Sequence, residues 1–66
     1  MGIREKEYEP GDLAAFERAI ADSVSLADIA RHRNRNRSAL RLECYGVGMF
    51  QKIERLIAAR EFEIRA

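Results

Sequence analysis

The chain has 66 residues, 47% of them apolar and 35% charged, with a formal net charge of +1. That length allows one domain, 1–66, which buries only about 60% of the surface its unfolded chain exposes, and the composition excludes a disordered tail. Cys44 is the only cysteine, which excludes an intrachain disulfide framework, and the longest apolar run, near residues 45–50, is too short to span a bilayer.

No secretion-type apolar core opens the sequence, so a reducing, cytoplasmic setting is expected, with no membrane partner. The charge is unevenly placed. Residues 1–30 carry seven acids and three bases, residues 31–42 five arginines and no acid, and residues 43–66 four of each sign. All the excess positive charge therefore lies in one short stretch.

Pro10 and Gly11 interrupt the chain, and Asp12 then offers a side-chain acceptor for the free amides of a helix start. Leu13, Phe16, Ile20 and Val24 follow at spacings of three and four, which predicts a first helix over residues 13–23 with one apolar face. Ser25 and Asp28 have the form of a capping box, and a second helix over 26–33 would turn Leu26, Ile29 and Ala30 inward. Asn34 and Asn36 are weak helix formers that suit a tight turn or a cap, so a turn is expected at 34–36 and a third helix over 37–45, limited by Gly46 and Gly48. Met49, Phe50, Ile53, Leu56 and Ile57 share one face of a fourth helix over 48–60. The tail 61–65 alternates Phe62 and Ile64 with charges, the period of a short β-strand, with residues 3–8 as its partner. The expected fold is mainly α, with four short helices, a central helix-turn-helix and short terminal strands.

Two helices joined by a three-residue turn, the second opening on arginines, meet the requirements of a helix-turn-helix reader of double-stranded DNA. Arg37, Ser38 and Arg41 would lie in the first turns of the groove-entering helix, where an arginine fork can bond guanine O6 and N7. Asn36 and the helix N-terminus would hold a phosphate, and Arg31, Arg33 and Arg35 would neutralise the flanking backbone. His32, among these arginines, is expected to face phosphate, and Cys44 to be a partly buried small apolar group.

The segment SLADIARHRNRNRSALRLECYG resembles the helix-turn-helix of Cro/repressor-type (Xre) regulators and addiction-module antitoxins. Ser25, Leu26, Ile29 and Ala30 match in register, as do Arg37, Ser38, Ala39 and Leu40, and the likeness extends over roughly residues 13–64. Asn34 stands where the family usually has glycine, Arg35 where an apolar residue plugs the turn, and Glu43 or Cys44 where a further core residue is usual. The resemblance implies a small repressor-like transcriptional regulator of phage or plasmid type.

A single recognition helix reads only one half-site, so a homodimer on a palindromic operator is expected, its subunits joined through residues 48–65 with Phe62 and Ile64 in the contact. The other class of function is an interaction protein, a small inhibitor docking an acidic partner through the arginine surface. It is favoured by Arg35 at the plug position and the near-neutral total charge, and it takes the lead if residues 26–45 form one unbroken helix. One histidine and one cysteine do not make a metal site, no cofactor motif occurs, and no nucleophile–base pair or paired acids suggest an enzyme.

Overall fold

In the computed structural model, which describes residues 12–66, three helices follow one another: α1 (Leu13–Ala21), α2 (Leu26–Arg41) and α3 (Val47–Arg65). Each of the first two starts where a side chain can satisfy the free amides of the first turn. Asp12 accepts from the Ala15 amide at 3.1 Å, and Ser25 accepts from the Asp28 amide at 3.2 Å while the Asp28 carboxylate takes the Val24 amide at 3.0 Å. Pro10, Gly11 and residues 3–8 lie outside the described residues.

Phe16, Ala19 and Ile20 of α1, Ile29 of α2, and Ile53 and Ile57 of α3 form the buried core. Of the face expected for the last helix, Ile53 and Ile57 are in the core and Met49 and Leu56 pack at its margin, while Phe50 is part-buried outside that cluster. Val24, in contrast, falls beyond the end of α1 and is exposed, as are Leu26 and Ala30.

The four-helix expectation is corrected at two places. The turn at 34–36 does not form: α2 continues through Asn34, Arg35 and Asn36 to Arg41, merging the helices expected over 26–33 and 37–45. Asparagine costs a helix only some tenths of a kcal/mol relative to alanine, and Asn36 is wholly buried with its amide satisfied by α3, which outweighs that preference. The chain instead leaves helix at Glu43, whose φ is +60°. The Glu43 amide bonds the Leu40 carbonyl at 3.0 Å and the Cys44 amide reaches the Ala39 carbonyl at 2.8 Å, the paired closure of a Schellman motif. Gly46, read as part of a helix stop, is the N-cap of α3, and Gly48 lies in its first turn.

The second correction is the tail, where 61–65 is the last part of α3 and, among the described residues, no strand occurs. Ile64 follows Ile57 by seven residues, two helical turns, so it stays on the buried stripe and packs against the core. The helical tail is also tied by Glu61 to Arg65 at 3.2 Å and by Arg60 to Glu63 at 2.9 Å. Arg60 further clasps the α1–α2 connection, donating from Nε and Nη2 to the Ser23 carbonyl at 2.9 and 2.7 Å.

Candidate functional site: the arginine helix

The arginine run lies within α2, and helical geometry decides what each member does. Side chains two residues apart point about 200° apart around a helix of 3.6 residues per turn. An alternation of arginines is therefore scattered around the cylinder, whereas a turn at 34–36 would have gathered them.

Asn36 faces straight into the protein. Its Nδ2 donates to the Phe50 carbonyl at 3.1 Å and to Glu54 Oε2 at 3.0 Å, and its Oδ1 accepts the Tyr45 hydroxyl proton. It has no capacity left for a phosphate, so the binding role expected for it is withdrawn. His32 is likewise buried, its ring 6.0 Å from that of Phe16, which corrects the phosphate-facing placement. Cys44 is exposed rather than partly buried.

Arg33 and Arg35 occupy the two flanks between the buried and exposed sides, and both are half-buried. Arg33 reaches Glu61 at 3.0 Å and Glu54 at 3.9 Å. The hydrogen bond from Arg33, aided by Arg65, holds the Glu61 carboxyl below the usual glutamate range. The positive charge of Arg33 is thus met within the chain.

The outward side of α2 is formed by Arg31, Asn34, Arg37, Ser38 and Arg41, at separations of three or four residues. Arg31 is ion-paired with Asp28. The carboxyl of Asp28 is held below its ordinary value, first by the Val24 amide and also by the charge of Arg31. Arg37 and Arg41 are exposed, and among the described residues neither meets a carboxylate; Arg41 donates only to the Ser38 hydroxyl, at 3.3 Å. Exposed apolar side chains stand beyond both ends of this face, Val24 and Leu26 before it, Leu42 and Val47 after it.

Of the seven side chains expected to bind, Arg31, Arg37, Ser38 and Arg41 share the outward face, Arg33 and Asn36 are drawn toward α3, and Arg35 is half-buried on the opposite flank of α2 from Arg33. Asn34, read as a turn residue, joins the outward face instead. The inward pull on Arg33 had a sequence signal: Glu54 and Glu61 are seven residues apart and so share one stripe of α3.

Among the described residues no group of three histidine, cysteine or acidic side chains could hold a metal, and no helix is long and apolar enough to cross a membrane. In comparisons with known proteins the chain matches no family model, no curated protein and no solved structure.

Proposed function

We propose that the protein is a small interaction module that docks an acidic protein partner through the outward face of α2. The observation that carries this reading is the unbroken course of α2 through residues 34–36. It removes the angled second helix with which a helix-turn-helix enters a groove, and it leaves one continuous helix with two arginines in its last turns, Arg37 and Arg41, that meet no carboxylate among the described residues.

Apolar groups at both ends of the face favour a protein over a nucleic acid. Arginine beside exposed aliphatic side chains is the composition of protein interfaces, whereas a phosphate surface depends on many cations. The arginines would steer the encounter and fix its register, and Leu26 and Leu42 would supply the buried contact. No catalytic step and no cofactor belong to this role.

A second reading keeps the DNA-binding homodimer without the helix-turn-helix. Asn34, Arg37, Ser38 and Arg41 stand at i, i+3, i+4 and i+7, the spacing at which a helix lying along a major groove directs side chains to base edges. Arginine and asparagine are the side chains that bond guanine and adenine in pairs.

The test compares the wild-type chain with an Arg37→Glu/Arg41→Glu variant, using nuclease-treated lysate in one arm and random duplex DNA at physiological salt in the other. The expected result is an acidic protein that binds the purified wild type directly and loses about tenfold or more in affinity, ~1.4 kcal/mol, with the variant. Selection of a shared DNA sequence by the wild type, without any such protein, would overturn this reading in favour of the second.

A further inference from the structure

The outward face of α2 has a chemistry narrower than positive charge. Asn34, Arg37, Ser38 and Arg41 lie within about 10 Å along the helix axis, and each can donate a hydrogen bond outward. Arg41 already donates from Nη2 to the Ser38 hydroxyl oxygen at 3.3 Å, which leaves the hydroxyl proton for another acceptor. Arg37 and Arg41 are one turn apart, about 6 Å along the axis. A single group placed between them is therefore within reach of both guanidinium forks.

The acids that border this face are committed elsewhere. Asp28 is paired with Arg31, Glu54 accepts from Asn36 and faces Arg33, and Glu61 is held by Arg33 and Arg65. Glu43, exposed in the turn past Arg41, disfavours an anion beyond the helix end and so leaves residues 34–41 as its place. The carbonyls of Ser38, Ala39 and Leu40 near that end already accept from the Leu42, Cys44 and Glu43 amides at 2.8, 2.8 and 3.0 Å. None of the three opposes an anion unpaired.

We propose that this face receives one phosphorylated side chain, a phosphoserine or phosphothreonine, on the partner protein. This rests on the docking role of α2 argued above and names the chemistry it recognises. A phosphate monoester carries a charge of about −1.5 to −2 and three acceptor oxygens. The two guanidinium forks neutralise it, and the Ser38 hydroxyl and Asn34 amide donate to the oxygen lone pairs that remain. A carboxylate has one charge and two oxygens, so it meets one arginine and leaves the other donors idle. A nucleic acid brings a run of phosphates, more charge than two arginines offset.

The test captures proteins with the wild-type chain from nuclease-treated lysate, with and without prior treatment by a broad-specificity phosphatase. The phosphosite of the retained protein is then made as synthetic peptides carrying the phosphorylated residue, glutamate or the unmodified residue. Retention should be lost after phosphatase, and the phosphorylated peptide should bind at least about tenfold more tightly than the glutamate one. Ser38→Ala, with both arginines kept and circular dichroism unchanged, should weaken the phosphorylated peptide by about three- to tenfold. An acidic protein retained equally after phosphatase, or a glutamate peptide that binds as well as the phosphorylated one, would overturn the phosphate assignment and leave protein docking standing. Full affinity for the phosphorylated peptide in Ser38→Ala would do the same. Capture of no acidic protein in either arm would overturn the docking role, and this inference with it.

Discussion

The inward and outward sides of α2 carry the same kinds of residue and put them to opposite uses. On the inward side Asn36 and Arg33 are tied to Tyr45, Phe50, Glu54 and Glu61 of the following segment, so their polar groups specify how α2 sits on α3. On the outward side Asn34, Arg37 and Arg41 have no such ties. Whether Asn34, Asn36, Arg33 or Arg37 is structural or available follows from its angle around α2, and its residue type does not tell which.

Alanine at the two asparagines breaks that comparison most visibly. Asn36→Ala empties a fully buried position and removes the hydrogen bonds to the Phe50 carbonyl, Glu54 and the Tyr45 hydroxyl, and should cost about 2–3 kcal/mol in urea unfolding. Asn34→Ala, two residues away, removes only an exposed amide and should stabilise α2 by a few tenths of a kcal/mol. Equal effects at the two positions would mean that α2 is turned differently on α3.

A pH titration of stability sharpens the contrast between Arg33 and Arg37. The Glu61 carboxyl is depressed from its ordinary value of 4.5, chiefly by Arg33, so its contribution is present above that pH and is lost as the pH falls through the lower folded-state value. Wild-type stability should drop over that acid range. Arg33→Gln should flatten the drop, although Arg65 still holds part of it, while Arg37→Gln should leave the profile unchanged. A profile insensitive to Arg33 would detach it from Glu61.

A smaller gain is expected where α2 ends. Glu43 adopts a left-handed conformation that glycine adopts without strain. Glu43→Gly should therefore raise stability by up to about 1 kcal/mol in thermal unfolding. The smallest effect belongs to the outward face: Arg37→Ala and Arg41→Ala should change stability by less than about 0.5 kcal/mol. A larger loss would show that these arginines, too, are spent on the fold.

The helical class was legible in the sequence because its signals are local. Asp12 and Ser25 mark helix starts by their own hydrogen-bonding chemistry, and the spacing of Phe16, Ile20, Ile53 and Ile57 marks buried faces whatever the partner. The continuity of α2 was not legible, because it depends on a hydrogen-bonded site for Asn36 assembled from residues 45–54. The tail was ambiguous for another reason: five residues of alternation suit a strand, and only the seven-residue step from Ile57 to Ile64 favours helix. At the candidate site the positive stretch itself was plain. Its division into tied and available arginines required the helix to be known as one piece.

The clasp of Arg60 on the Ser23 carbonyl joins residues 37 positions apart, and it bears on how the chain acquires its structure during synthesis. Chains emerge from the ribosome N-terminal end first, at roughly 5–20 residues per second. The local bonds of the α1–α2 connection can form early, but the Ser23 carbonyl gains Arg60, and the core gains Ile53 and Ile57, only once those residues have emerged, so the first two helices remain an unfinished pair until then. Their apolar faces stay open to chaperones or to aggregation through that interval. A stall upstream of residue 60 should release a protease-sensitive chain, and release beyond it a resistant one.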